Sequence, residues 1–162
     1  TPLLLAAFEG HTSTAELILK IGRADVNVRD NQRTTPLAAA AEWGHTSTVD
    51  ILLKHNQVQV NSQDLYGYTP LARAAANGHT SVVELLLKND KVDVDLPNQN
   101  GATPLGLAAR YGRMPIAEML LRSKKAEVNF KNSKGETPLS LAILRGQKAT
   151  YDLLKSYGAK DD

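Results

Sequence analysis

The tripeptide Thr-Pro-Leu occurs five times in this chain, and its spacing constrains the fold more than any other feature. The copies begin at Thr1, Thr35, Thr69, Thr103 and Thr137, so that each lies 34 residues after the last. Self-similarity at a fixed period of this size is the signature of a repeat array, in which each unit buries its apolar surface against its neighbours. The chain is therefore expected to be elongated and layered.

Each repeat is predicted to contain two helices. The threonine suits the N-cap of the first helix, and the proline suits the first helical position, where no backbone N–H is needed. A glycine then recurs about two turns later, where left-handed backbone ends a helix at little cost. We call residues at equivalent positions of successive repeats a column, and the glycine column is Gly10, Gly44, Gly78, Gly112 and Gly146.

Further columns indicate how the helices pack. A small residue repeated at one place predicts closely packed first helices, and that column is Ala6, Ala40, Ala74, Ala108 and Ala142. The second helix, as in 80–88, keeps its apolar residues at helical spacing. An acid followed four residues later by a base, as in Glu84 and Lys88, marks its solvent-facing side. A valine-containing arm and a polar turn complete the unit.

The pattern Thr-Pro-Leu-x-x-Ala-Ala-x-x-Gly-His, with Leu-Leu-Leu-Lys and a Val-x-Val-Asn arm, resembles the ankyrin repeat over nearly the whole chain. Tetratricopeptide arrays share the period but lack this proline and this arm. The resemblance implies a single all-α solenoid domain of five helix-turn-helix repeats with short extended β-hairpin arms. The repeat boundaries are approximately 1–28, 29–62, 63–96, 97–130 and 131–162, the first being truncated.

The chain departs from the family pattern in two ways. The usual histidine after Thr-Pro-Leu is absent, so its hydrogen bond to the threonine must be replaced or foregone. One residue is also inserted after the second helix, as near 90–92. In this variant the chain resembles arrays of filamentous-fungal proteins, where such arrays often follow a nucleotide-binding switch domain. The abrupt start at Thr1 is typical of an excised piece with a sticky apolar face around Leu3 and Leu17, whereas Lys155 is typical of a terminal cap.

The sequence indicates no catalytic chemistry, cofactor or metal site. It has no cysteine, no zinc-binding motif and no phosphate-binding glycine loop. Three of its histidines, at 11, 45 and 79, fall in one column and are interpreted as structural; His55 lies outside it and is expected to be exposed. The net charge of +2 is spread along the chain and favours neither nucleic acid nor membrane as partner. We therefore expect an intracellular protein. The cytoplasm is the expected compartment, and the nucleus is the alternative.

Function is expected where the columns vary, which the family resemblance places at the turn tips and the ends of the first helices, on a concave surface. Large aromatic rings and arginine dominate binding hot spots. The predicted partner-binding residues are Phe8, Glu9, Glu42, Trp43, Leu65, Tyr66, Tyr68, Arg73, Asn77, Asn100, Arg110, Tyr111, Lys134 and Arg145. The chain is thus predicted to be a protein-binding module, a monomer with weak end-to-end association.

Two points stay open in the sequence. Arg73 replaces apolar or small residues of its column, so it either contacts a partner or stacks on Tyr68. The binding module could instead be the sensing or regulatory array of a larger fungal signalling protein, similar to immune-receptor-like proteins with a nucleotide-binding switch. Trp43 and Tyr66 are predicted to be exposed on one face in either case.

Overall fold

The computed structural model describes residues 1–123 and 125–160, and within these ranges the chain forms ten helices in five pairs. The first helices are α1 (Pro2–Phe8), α3 (Pro36–Glu42), α5 (Pro70–Asn77), α7 (Pro104–Arg110) and α9 (Pro138–Leu144). The second helices are α2 (Thr12–Ile21), α4 (Thr46–Leu53), α6 (Thr80–Leu87), α8 (Met114–Arg122) and α10 (Lys148–Ser156). First helices pack on first helices and second on second, so the array has two layers. The predicted all-α solenoid is confirmed.

A threonine caps every first helix. In each repeat its Oγ1 accepts a hydrogen bond from the backbone N–H three residues later, at 3.1–3.4 Å. A proline follows at once, where its missing N–H leaves no helical bond unmade. The histidine bond that this chain lacks is replaced in the last repeat, where Ser140 Oγ accepts from the Thr137 N–H at 2.9 Å and completes a capping box.

The glycine column ends the first helices with φ between 65° and 88°. A second constraint comes from the next repeat, because a Cβ on Gly44 would lie 2.5 Å from Nδ1 of His79. That imidazole crosses the repeat boundary, and its Nε2 lies 2.8 Å from the carbonyl oxygen of Glu42. His45 bonds to the Phe8 carbonyl in the same way, at 2.9 Å. The structural interpretation of this column is confirmed for these two rings.

The histidine column continues with other side chains that keep the same position. Arg113 stands there in the fourth repeat, and its Nε donates to the Ala76 carbonyl at 3.2 Å. His11 has no preceding carbonyl of this kind in the chain and is exposed. The predicted exposure of His55 is wrong, since the ring is half-buried and its Nδ1 accepts from the Gln57 N–H at 3.4 Å. It closes the turn that follows α4.

The alanine column lies at the centre of the first-helix layer, and its members are at most 3% exposed. The neighbouring column, which includes Ala75, is equally buried until the last repeat, where Ile143 is exposed. On the second helices, four acid–base pairs lie at N–O distances of 2.6–3.0 Å, as predicted. Pairs as exposed as these contribute only about 0.3–0.5 kcal/mol each, so alanine packing matters more.

The arms differ from the predicted β-hairpins, because no residue of the described ranges is in a strand. Each tip is a tight turn in which one Asp or Asn side-chain oxygen accepts two backbone N–H groups, at 2.8–3.0 Å. Neighbouring tips are joined by a single backbone hydrogen bond, for example from the Leu65 N–H to the Gln32 carbonyl at 2.9 Å. One bond between two turns is too few to form a ladder.

A column of amide side chains ties each arm to the next. Asn61 donates to the Lys91 carbonyl at 2.8 Å and accepts from the Asp93 N–H at 2.9 Å, and Asn27 makes the equivalent pair of bonds one repeat earlier. Asp95 occupies the third position of this column. Its Oδ2 accepts from the Glu127 N–H at 2.9 Å, but its Oδ1 is buried without a hydrogen-bond partner. A carboxylate cannot donate to a carbonyl as the amide does.

Asp95, which stands where the two preceding repeats have asparagine, has a shifted pKa. Partial burial raises the pKa of its carboxyl above the ordinary value, since the charged form loses hydration there. The carboxylates of Glu127 and Asp93 raise the pKa further, whereas the hydrogen bond from the Glu127 backbone lowers it. The charged carboxylate of Asp95 therefore destabilises the arm, and an asparagine at this position would not.

The first repeat does not expose all the apolar residues expected of it. Leu17 is exposed, but Leu3 is only 1% exposed, because α1 packs against both α2 and α3. The expectation that the outward side of Leu3 is uncovered is thus wrong. None of the helices in the described part of the chain has the length and apolar character needed to cross a lipid bilayer.

Candidate functional site

The turn tips and the C-terminal ends of the first helices form one surface, which we call the groove. The tips hold it rigid, because each is closed by the two side-chain bonds described above and bonded to its neighbour. Two concavities interrupt the groove, of about 390 Å³ and about 280 Å³. Most predicted binding residues gather at one or both of them.

The larger of the two, the central cavity, lies between the second, third and fourth repeats. It is lined by Gln32, Glu42, Tyr66, Tyr68, Arg73, Gln99 and Asn100. Amide side chains and a tyrosine hydroxyl offer both donors and acceptors there. Such a surface can bind polar groups of a peptide, including its backbone.

Arg73 organises the central cavity from within the chain. Its Nε donates to Asp64 Oδ2 at 2.9 Å, a terminal nitrogen binds the same oxygen, and the other binds Glu42 Oε1 at 3.2 Å. The guanidinium carbon lies 4.4 Å from the centre of the Tyr68 ring, a cation–π distance. Of the two possibilities that the sequence left open, stacking is confirmed. The guanidinium is already paired and serves to position its neighbours.

Asp64 is a functional neighbour that sequence reasoning missed. The polar-turn pattern accounts for one of its oxygens, since Oδ1 accepts the Tyr66 and Tyr68 N–H groups. Its side chain is only 1% exposed, and its other oxygen neutralises Arg73. A buried carboxylate needs a positively charged or hydrogen-bonding partner. Arg73, nine residues further on and unusual for its column, is the signal in the sequence that could have indicated this pair.

The smaller concavity, the Arg110 cavity, lies between the third, fourth and fifth repeats. Its lining includes Tyr68, Asn98, Asn100, Ala102, Gly106, Leu107, Arg110, Tyr111, Asn132, Ser133, Lys134, Glu136 and Leu141. Arg110 Nε is buried and has no hydrogen-bond partner. Its guanidinium carbon lies 5.9 Å from the centre of the Tyr111 ring. Among the described residues, Arg110 makes no ion pair.

Aromatic rings dominate the exposed part of the groove. Trp43 and Tyr66 are 54% and 56% exposed, as predicted. Phe8 packs edge-on against Trp43 with ring centres 5.2 Å apart, and Tyr111 is about half exposed. Large aromatic rings are enriched at the cores of protein interfaces.

Six predicted residues line neither cavity, although all are exposed: Phe8, Glu9, Trp43, Leu65, Asn77 and Arg145. Asn77 donates to the Glu42 carbonyl at 3.3 Å and so supports the helix end. Leu65 lies instead on a shallower cavity of about 900 Å³ beside the arms, together with Arg29 and Arg33. Conversely, the sequence indicated the turn tips as a whole but not which of their side chains line the cavities. Among these side chains are Gln32, Gln99 and Ser133.

Within residues 1–123 and 125–160, no cluster of histidine, cysteine, aspartate or glutamate could hold a metal ion. Comparison with protein families gives a match to the model described as "Ankyrin repeats (3 copies)", over residues 3–97 and again over 90–162. The two matches together span almost the full chain. No curated protein matches the chain significantly.

Proposed function

Because this chain belongs to the ankyrin-repeat family, we propose that it is an interaction module that binds a protein partner along the groove. Ankyrin repeats generally mediate protein–protein interaction. The observation that carries the proposal is the row of exposed aromatic rings on the groove, with Phe8 and Trp43 in edge-on contact at one end and Tyr66 and Tyr111 further along.

The rigidity of the groove supports this role. Each tip is closed by its own Asp or Asn side chain, and adjacent tips share a backbone hydrogen bond, so binding orders little that is not already ordered. Since ordering costs subtract directly from affinity, a preformed surface retains more of its contact energy. Tyr and Trp add large contact area with few rotatable bonds.

Peptides selected from a random displayed library against the intact chain provide a direct test. Trp43→Ala and Tyr66→Ala are each expected to weaken the selected peptides at least tenfold, because truncating a hot-spot ring costs about 2 kcal/mol or more. Tyr157→Ala is the matched control, since Tyr157 is exposed but lies after α10, away from the groove. Binding that both groove variants leave intact, or that the control weakens equally, would contradict the proposal.

A further inference from the structure

We propose that the Arg110 cavity is a subsite for one carboxylate side chain of the partner, so that the groove selects protein segments with an aspartate or glutamate at this point. The inference rests on the proposed function and specifies the chemistry that one part of the groove recognises. Arg110 is the residue that would bind the carboxylate.

The first support is the contrast between Arg110 and Arg73. Both guanidinium groups lie half-buried on the groove, each beside a tyrosine. Arg73 is bonded to two carboxylates of the chain itself. Arg110 has none among the described residues, and its Nε is a buried donor without an acceptor. A buried donor left unpaired is destabilising, and an incoming carboxylate would remove that penalty.

The second support comes from comparing the residues around Arg110 with those at the equivalent positions two repeats earlier, where the charge has the opposite sign. At the boundary of the second and third repeats, Arg73 is bonded to Glu42 and Asp64. Sixty-eight residues later, two periods on, the equivalent positions are Leu141, Arg110 and Asn132. All three line the Arg110 cavity. The cation therefore stands where the acid was, and the one acid on the cavity lining, Glu136, accepts a hydrogen bond from Asn132 and makes no ion pair with Arg110.

Size and charge indicate the kind of group that fits. A cavity of about 280 Å³ holds one side chain rather than a length of peptide. Arg110 and Lys134 supply two positive charges, and Glu136, which accepts from Asn132 Nδ2 at 2.8 Å, supplies one negative charge. The net positive charge of one is balanced by a monoanion, whereas a dianionic phosphate would leave the site negative beside Glu136.

The walls favour the same ligand. Leu107 and Leu141 are buried beneath the cavity, and the Tyr68 and Tyr111 rings lie on its lining, so the methylene groups of an acidic side chain find apolar contact. A carboxylate bound by Nε and one terminal nitrogen together would form the two parallel hydrogen bonds that arginine makes best.

The test is an NMR titration of the intact ¹⁵N-labelled chain with N-acetyl-glutamate N-methylamide, with the glutamine analogue as the neutral comparison. The Arg110 Nε–Hε resonance is expected to move saturably with the glutamate probe, with binding at least fivefold weaker for glutamine. Arg110→Met should abolish the shifts of its neighbours, and Arg110→Lys should retain part of them. Arg122→Met on α8, remote from the groove, is the matched control, and thermal unfolding of each variant verifies that it is folded.

Several results would overturn the inference: equal shifts from both probes, shifts that survive Arg110→Met in a folded chain, or tighter binding of N-acetyl-phosphoserine N-methylamide than of the glutamate probe. Peptides selected on the groove separate this failure from that of the proposed function. If they lose affinity with Trp43→Ala but carry no fixed acid and ignore Arg110→Met, the carboxylate subsite is wrong and the binding module stands. If the Trp43 and Tyr66 variants have no effect, the proposed function itself is wrong.

Discussion

The ionisation of Asp95 is expected to make the free energy of unfolding depend on pH. The preceding members of its column, Asn27 and Asn61, donate to a carbonyl of the next arm, and the equivalent carbonyl for Asp95 is that of Lys125. Asp95→Asn restores the donor and is expected to stabilise the chain at neutral pH by about 1 kcal/mol, near the lower end for a buried unpaired group because the site is half-exposed. Chemical denaturation measures the change.

The pH dependence of this effect follows from the sign of the shift. The pKa of Asp95 is raised in the folded chain, so ionisation costs more folded than unfolded. Stability is retained below the ordinary aspartate pKa and is lost as the pH rises through the folded value. The advantage of Asp95→Asn should therefore shrink near pH 3. Asp152→Asn, at an exposed position on α10, controls for the loss of one charge, and a constant advantage at every pH would refute the argument.

The turn between paired helices offers a comparison between two glycines with the same backbone conformation. Gly44 and Gly146 have φ of 75° and 66°. A Cβ on Gly146 meets nothing within 4 Å, whereas one on Gly44 meets the His79 ring at 2.5 Å. Gly146→Ala is expected to cost about 1 kcal/mol from its left-handed backbone alone, and Gly44→Ala about 1–3 kcal/mol more from the clash.

Urea denaturation of the two variants measures this difference. In a His79→Ala background the extra cost of Gly44→Ala should largely vanish, because the clashing ring is gone. The two substitutions would then couple, as residues in direct contact do. Equal costs for Gly44→Ala and Gly146→Ala would show that the crossing histidine does not constrain the turn.

Helices, caps and turn glycines could be predicted from the sequence because each depends on residues within one repeat. A Thr-Pro pair and a glycine two turns later leave the backbone few alternatives, and the alanine column needs no knowledge of the partner helix. The bonds from Arg73 to Glu42 and Asp64 could not be predicted, since they depend on how far one repeat rotates on the next. The arms were wrongly expected to be hairpins, because the described residues of each arm close a tight turn, for example with the bond from the Asp64 N–H to the Tyr68 carbonyl at 3.1 Å, and form no strand beyond it.

Eight of the fourteen predicted binding residues line the two cavities, and binding along the groove stays a prediction. The contacts of the individual side chains could not be predicted. Arg73 and Arg110 were both predicted to bind a partner, and only the arrangement of neighbouring repeats shows that one is paired within the chain and that the other has a buried Nε without a partner. The expected setting in a fungal signalling protein stays a prediction, because repeat columns encode stacking rather than companion domains. The same holds for the compartment and for weak end-to-end association.

The layered contacts also determine how the array should respond to mechanical load. In the described part of the chain, the main helix packing joins paired helices and adjacent repeats, and the crossing histidines and the tips do the same. A force applied between the two termini is then resisted mainly by contacts between neighbouring repeats, and one layer can peel away before the next yields. In optical tweezers the chain should lengthen in steps of roughly 110 Å, the extended length of 34 residues less the thickness of one layer. A single step releasing the entire chain would mean that the repeats fail together.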